Sequence, residues 1–128
     1  MDRGVIVGDT DVLVDFLHGE GSHVKARELL RAGRLATTAV TVFAVWRVLE
    51  TAATREVARC VFHGFRVYAL SDAAARRAAE IEMKLRTAPI GERDALIAGI
   101  CLAIGRPLLT ANTRHFRRVP GLEVIPAR

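Results

Sequence analysis

The 128-residue sequence has no long hydrophobic run. Its longest apolar stretches fall far short of the roughly 18 residues that a membrane-spanning helix needs. It also lacks a basic N-terminal segment followed by an apolar stretch and a small-residue cleavage site, the pattern of a secretory signal. We therefore expect a cytoplasmic protein with no membrane partner.

Cysteine is scarce as well. Cys60 and Cys101 are the only two and form no CxxC pair, and His63, three residues after Cys60, completes no set of zinc ligands in the sequence. This spacing argues against a structural disulfide and against a zinc site. We expect both residues to be buried thiols in a reducing compartment.

Lysine is nearly absent, since only Lys25 and Lys84 occur, yet the formal charge is +5 and the pI is near 10.2. The positive charge is therefore almost all arginine, whose forked donors match phosphate groups. A polyanionic partner would explain this composition. A biased genomic composition would explain the arginine excess equally well, so charge alone does not decide for nucleic acid.

Short apolar runs alternate with helical patterns along the whole chain. The predicted strands cover residues 5–7, 35–40, 65–70, 107–110 and 122–125, and between them lie amphipathic or apolar segments that fit helices. Such alternation is typical of a mostly parallel sheet with helices on both faces, a three-layer α/β/α fold. We see no linker or repeat, so we expect one domain over residues 1–128.

Three polar clusters follow predicted strands or open the most apolar predicted helix, residues 92–104. The clusters are Asp9-Thr10-Asp11, Glu92-Arg93-Asp94 and Thr110-Ala111-Asn112. In a parallel sheet, ligands bind beyond the C-terminal ends of the strands. If the first and fourth strands are neighbours, these clusters meet at one edge.

Carboxylates gathered at such an edge suit a magnesium site. Mg²⁺ prefers hard oxygen ligands and keeps several waters, and it can activate one of those waters near a phosphate. Asp11 and Asp94 could instead be helix N-terminal residues, and for Asp11 capping is the simpler explanation. Asp9 ends an apolar strand, where burial without a ligand would be costly.

These stretches together resemble the PIN domain, and within it the VapC-like toxins of toxin–antitoxin pairs. VIVGDTDVLVDFL resembles the opening strand with its aspartate Asp9, and TTAVTVFAVWRVL resembles the second motif. IGERDALIAGICLAIGRPLLTANTRHF contains the third aspartate, Asp94, and the closing threonine–asparagine turn. GLEVIPA resembles the last strand. The resemblance spans nearly the whole chain.

The resemblance implies RNA cleavage that depends on Mg²⁺ or Mn²⁺, a small antitoxin partner and a homodimer. Asp9 and Asp94 would be the metal-binding and catalytic acids. Thr10 and Thr110 would hold acids or water by hydrogen bonds. Supporting roles also fall to two residues of the polar clusters, Asp11 and Asn112. The family's fourth acidic position aligns either with Asn112 or with His115, and neither is a carboxylate.

Ala44 departs from the family pattern, which carries a glutamate between Phe43 and Val45. One carboxylate fewer means weaker metal binding and the loss of a group that could orient water. The substitution was either engineered, to make a toxic nuclease tolerable to its host, or it arose naturally in a protein that kept binding and lost activity. The intact surrounding motif favours a deliberate change.

Basic and aromatic residues near the predicted edge are candidates for RNA contact. The arginines are Arg93, Arg114, Arg117 and Arg118. Trp46 could stack on a base, but its apolar neighbours on the predicted helix favour a core or interface position. Phe116 is expected in the core, beneath the last turn.

Two other functions compete with a ribonuclease. The first is a catalytically dead module that binds RNA or an antitoxin, which Ala44 favours and the retention of Asp9 and Asp94 opposes. The second is a haloacid-dehalogenase-like phosphatase, because Asp9 and Asp11 form a DxD after a strand. That chemistry needs a threonine soon after Asp11 and a lysine near the edge, and the sequence offers neither.

Overall fold

A computed structural model describes residues 4–128. Within this range the strands are β1 (Ile6–Gly8), β2 (Leu35–Thr38), β3 (Arg66–Tyr68), β4 (Leu108–Thr110) and β5 (Val124–Pro126). The helices of the same range are α1 (Thr10–His18), α2 (His23–Arg31), α3 (Ala39–Trp46), α4 (Ala52–His63), α5 (Asp72–Lys84), α6 (Glu92–Ile104) and α7 (Thr113–Phe116). No helix in the described range is long and apolar enough to cross a membrane.

The strands form one parallel sheet in the order β3-β2-β1-β4-β5. β1 is central and pairs with β4 on one side, with Gly8 opposite Leu109. Asp9 and Thr110 therefore both lie at the C-terminal edge of adjacent strands. The predicted α/β class and the predicted pairing of the first and fourth strands are confirmed.

Two packed apolar clusters lie on the two faces of the sheet. One contains much of α5 and α6, including Ile97, Ile100 and Ala78, and the other contains Leu13 and Phe62. β1 and β4 contribute residues to both clusters, because neighbouring residues of a strand point to opposite faces of the sheet. The sheet is therefore covered on both sides, as the predicted three-layer arrangement requires.

The buried face of α5 differs from the expected one. The sequence pattern makes Ala75, Ala79, Ile81 and Leu85 available for burial. Ala75 and Ala79 are nevertheless exposed, whereas Ala74 and Ala78 are buried. The reason is the close approach of α6 at Gly99, where a β-carbon would lie 2.5 Å from the Ala74 carbonyl oxygen. Ser71 caps α5 as its sequence predicts.

Helix starts near the site also differ from the sequence prediction. The sequence pattern favours Thr10 or Asp11 as the cap of α1, but the cap is Asp9, whose side chain accepts from the Thr10 backbone N–H. The pattern also favours Thr41 as the cap of α3, but the cap is Thr38, whose side chain accepts from the Thr41 backbone N–H. β2 accordingly ends at Thr38, two residues earlier than expected, and α3 begins closer to the sheet edge.

The remaining sequence predictions about the core are resolved residue by residue. Phe116 is fully buried and Trp46 packs against Phe62, with ring centroids 6.0 Å apart, so both belong to the core as expected. Cys101 is buried, and burial together with the charge of Asp9 raises the pKa of its thiol to about 12. Cys60 is exposed, so the prediction of two buried thiols was wrong.

Candidate active site

Asp9 is the most buried carboxylate of the site, with 5% of its surface exposed. Its Oδ1 accepts from the Thr10 backbone N–H at 2.8 Å, and its Oδ2 accepts from the Thr110 hydroxyl, also at 2.8 Å. Burial and the nearby charges of Asp11 and Asp94 outweigh these hydrogen bonds and raise the pKa of Asp9 to about 7. Asp9 therefore holds one fixed orientation in a region of excess negative charge.

Asp11 lies in the first turn of α1 and is not its cap. Its Oδ2 accepts from the Ala111 backbone N–H at 3.1 Å, which links α1 to the turn after β4. Its Oδ1 is buried and has no hydrogen-bond partner among the described residues. Burial raises the pKa of Asp11, and the Ala111 N–H opposes that shift. An unpartnered buried carboxylate oxygen is unusual and marks a place for a cation or a bound water.

Asp94 lies in the first turn of α6 and faces Asp9 across the cleft, since its charge raises the pKa of Asp9. Asp94 Oδ2 lies 3.2 Å from His115 Nδ1. The ring can donate this hydrogen bond when Nδ1 carries a proton. The family's fourth acidic position aligns with either His115 or Asn112. His115 contacts Asp94, whereas Asn112 lines the cleft.

A run of threonines connects β2 and α3 to the start of α1. Thr38 caps α3 through the Thr41 N–H, and the Thr41 hydroxyl lies 3.2 Å from the Thr10 hydroxyl. The Thr10 hydroxyl therefore contacts Thr41, and the backbone N–H of Thr10 is the group that donates to Asp9. Thr110 donates to Asp9 through its hydroxyl, as predicted. Ala44 follows Thr41 by three residues on the same face of α3 and is 6% exposed.

The three aspartates Asp9, Asp11 and Asp94 line an open cleft of about 350 Å³, and a fourth, Asp15, lies at its wall. Its walls are formed by Asp9, Thr10, Asp11, Val14, Asp15, Arg93, Asp94 and Asn112. Arg93 is the one of the four predicted RNA-binding arginines that lines this cleft. Arg114, Arg117 and Arg118 lie exposed on and after α7, and Arg118 donates to the Ala88 carbonyl oxygen.

Comparison with known proteins identifies the family. The PIN domain model matches residues 6–122, which is most of the chain. The chain belongs to the PIN-domain family. It is 30% identical over 121 residues to the tRNA(fMet)-specific endonuclease VapC of Shigella flexneri, which covers 90% of this chain and 92% of the relative. The chain is thus VapC-like, as its sequence motifs predicted.

Solved structures agree in fold. DNA-bound VapBC from Salmonella typhimurium superposes with a TM-score of 0.82 at 22% identity, covering 97% of this chain and 98% of the other. A toxin–antitoxin complex from Klebsiella pneumoniae gives a TM-score of 0.77 at 22% identity, covering 96% and 98%. The PIN fold is therefore shared over nearly the whole length of these chains.

The acids of this PIN domain fit a cation with many waters better than a closed protein cage. Within residues 4–128 no three side chains of histidine, cysteine, aspartate or glutamate are grouped closely enough to hold a metal by themselves. Mg²⁺ is usually bound through one or two carboxylates and retains several waters. Asp9 and Asp94 can supply that number, and the unpartnered Asp11 oxygen lies beside them.

Two features of the PIN domain's site had no clear signal in the sequence. The contact between His115 and Asp94 joins residues 21 positions apart. Asp15 accepts from the Ser22 hydroxyl at 2.9 Å and from Arg128 at 2.8 Å, which brings the end of the chain to the edge of the cleft. Both contacts depend on tertiary packing, which no local spacing encodes.

Proposed function

We propose that this PIN domain is the toxin of a toxin–antitoxin pair, a metal-dependent endoribonuclease whose activity is weakened or abolished by Ala44. The observation that carries the proposal is the placement of Asp9 and Asp94 in one cleft at the C-terminal edge of β1. Its relation to an endonuclease, the VapC of Shigella flexneri, points the same way.

In this proposal Asp9 and Asp94 hold Mg²⁺ or Mn²⁺. When bound, the metal would lower the pKa of a coordinated water and neutralise charge on the scissile phosphate. Thr110 and the Thr10 N–H keep Asp9 in one rotamer, and His115 does the same for Asp94. Arg93 lies where a guanidinium can contact a phosphate oxygen of RNA.

Ala44 is the position at which a carboxylate is missing. It lies one turn beyond Thr41 on the same face of α3. The Thr41 hydroxyl contacts the hydroxyl of Thr10, the residue that follows Asp9. A glutamate at this position is long enough to extend towards the cleft, where it would add a third metal-binding acid to Asp9 and Asp94. An engineered origin of this alanine is a prediction that the native gene tests, since an alanine codon there would contradict it.

The proposed partners are an RNA substrate and a small antitoxin. An antitoxin partner is supported by the likeness to the Klebsiella pneumoniae toxin–antitoxin complex. A homodimer stays a prediction that sedimentation can test. The competing function is a catalytically dead module that binds RNA or an antitoxin, and the specific observation in its favour is that Ala44 removes one acid from a site with few ligands.

The deciding experiment compares the chain as given with Ala44→Glu on total RNA and on initiator tRNA, with Mg²⁺ or Mn²⁺ and with EDTA. We expect Ala44→Glu to cut RNA at least about tenfold faster than the parent, since orienting and charge effects of one group reach this size, and EDTA to stop the cleavage. Ala44→Gln is the matched control, because it adds the same volume without the charge.

The outcomes separate the candidate functions. Metal-dependent cutting by Ala44→Glu and not by Ala44→Gln supports a nuclease that lacks one acid. If neither the parent nor Ala44→Glu cuts RNA, and neither binds Mn²⁺ by calorimetry, the proposed nuclease function is wrong. The proposal that the chain is a binding module then replaces it. Loss of Mn²⁺ binding in Asp9→Asn would further assign the metal to this cleft.

A further inference from the structure

A second cavity, of about 590 Å³, opens beside the cleft of the three aspartates. Its walls come from α3 and from the start of α6 with the loop before it: Val40, Phe43, Arg47, Ile90, Gly91, Glu92, Arg93, Asp94 and Leu96. Arg93 and Asp94 line both this cavity and the cleft. The two spaces are therefore adjacent, and a nucleotide next to a phosphate at Asp94 is within reach of this cavity.

Phe43 forms one wall and is unusually exposed for an aromatic residue of an apolar helix. Its surface is 62% exposed, whereas Val40, Ala44 and Val45 of the same helix are buried. The Arg47 guanidinium lies over the Phe43 ring, 5.7 Å from its centre. The guanidinium of Arg47, the residue that follows α3, thus lies over one face of the ring, and most of the Phe43 surface stays exposed.

The charges of the cavity favour a base over a phosphate. Arg47 and Arg93 are balanced by Glu92 and Asp94, so the cavity has no net positive charge that would select an anion. Its remaining walls are apolar and include Val40 and Ile90, both buried. A nucleobase matches this mixture, since its faces stack on phenyl and guanidinium groups and its edge carries donors that a carboxylate accepts.

We propose that this cavity is a base-binding subsite, in which one unpaired nucleobase of the RNA stacks on Phe43 next to the scissile phosphate. The proposal rests on the proposed ribonuclease function and adds a specificity element to it. Phe43 and Arg47 supply the stacking surface and Glu92 accepts from the exocyclic amino group of the base. The subsite then selects for unpaired RNA, because a base inside a duplex cannot reach the ring.

The test measures binding of fluorescently labelled single-stranded RNA of roughly twelve nucleotides, a length within the usual range for such sites. A second probe carries the same sugar–phosphate backbone without bases. The proteins are the parent chain, Phe43→Ala and Phe43→Tyr. Val48→Ala is the matched control, because Val48 is 66% exposed near the end of α3 but does not line the cavity.

We expect Phe43→Ala to weaken binding of the base-containing RNA by about tenfold, the usual size of a lost aromatic stack. It should leave binding of the base-free probe unchanged, because the phosphate contacts remain. Phe43→Tyr should retain the parent affinity, as should Val48→Ala. Circular dichroism and thermal unfolding confirm that each variant is folded, and the exposure of Phe43 makes misfolding a small concern.

Three results would overturn the subsite. Equal binding of RNA by Phe43→Ala and the parent contradicts the proposed subsite and leaves the proposed nuclease function unaffected. A parent chain that binds none of the probes, with or without Mg²⁺, together with an Ala44→Glu variant that cuts no RNA, rejects both proposals. If Phe43→Ala instead converts a sedimenting dimer into a monomer, the cavity wall is a contact between two copies of the chain.

Discussion

A single buried carboxylate, Asp9, determines much of the chemistry available at this site. It ends β1 and caps α1, so strand and helix both constrain it. Burial and the neighbouring charge of Asp11 disfavour its ionised form, while two hydrogen bonds favour it. A folded protein retains such a conflict where the group has a function, because an apolar residue at the same place would cost less.

Thr110 is predicted to be the main support of Asp9. Its hydroxyl donates to Asp9 Oδ2 and accepts from the Asn112 backbone N–H at 3.0 Å. Thr110→Val keeps the shape and removes both bonds in a fully buried place, so we expect the free energy of unfolding to fall by about 1–3 kcal/mol. Urea unfolding at neutral pH measures the change.

Thr110→Ser is the control for this prediction. Serine keeps the hydroxyl and loses only a methyl group, so it should cost about 1 kcal/mol or less. If the valine variant is as stable as the parent while the serine variant is destabilised, packing of the methyl group rather than the hydrogen bonds is what Thr110 contributes. In that case the orientation of Asp9 depends on the Thr10 N–H alone.

At the scale of elements, α6 carries Asp94 and its position depends on how closely α5 can approach. Gly99 lies at the contact, where a β-carbon would be 2.5 Å from the Ala74 carbonyl oxygen and 2.9 Å from the Ala78 nitrogen. These are backbone atoms, which cannot rotate away. The close packing of two helices through a small residue therefore fixes α6 against the core.

Gly99→Ala is predicted to destabilise the fold even though alanine favours helices. The gain in helix propensity is at most about 1 kcal/mol, whereas overpacking of a tight core contact costs about 1–3 kcal/mol. We expect a net loss of about 1–2 kcal/mol in urea unfolding. Gly64→Ala is the control, because its β-carbon would lie 3.6 Å from the nearest atom and its φ is −83°. Equal stability of both variants would show that α5 can shift freely.

Element types could be predicted from the sequence more reliably than element ends. Alternating apolar runs are enough for a parallel sheet, because each strand is buried on both faces and each crossover supplies a helix. The start of α3 could not be predicted, since Thr38 and Thr41 are equally good caps and only the end of β2 decides between them. The same ambiguity among Asp9, Thr10 and Asp11 concealed the true cap of α1.

At the scale of the whole molecule, the order of the strands assembles the site. β1 and β4 are far apart in sequence and adjacent in the sheet, so Asp9 meets Thr110 across 101 positions. The alternation of strands and helices predicted this meeting, on the condition that the first and fourth strands are neighbours in the sheet. It did not predict that His115 would contact Asp94, because α7 is a four-residue helix whose direction depends on packing of Phe116.

The far end of the chain is also tied to the first helix. Arg128 donates to Asp15 at 2.8 Å, and Lys25 donates to the Pro126 carbonyl oxygen at 3.0 Å. The Asp15 side chain is 15% exposed and that of Arg128 is 60% exposed. Burial tends to raise the pKa of Asp15, but hydrogen bonds from Arg128 and Ser22 outweigh it and the net shift is downward.

This downward shift predicts how the stability contributed by Asp15 depends on pH. A lowered pKa means that the folded state holds the ionised form better than the unfolded state, so the contribution is complete above the ordinary pKa of 3.8 and is lost as pH falls through the folded-state pKa. Asp15→Asn should therefore lower the free energy of unfolding by about 1 kcal/mol at pH 7, less than the roughly 1.5–3 kcal/mol of a bond to a charged group, because solvent screens the exposed Arg128. The difference from the parent should narrow as pH falls below 4.

Asp72→Asn is the control, because its pair with Arg76 is highly exposed and should contribute little at any pH. A difference for Asp15→Asn that stays constant down to the lowest pH at which the protein is folded would contradict an ionic tie, and would indicate that shape alone holds the C-terminus against α1.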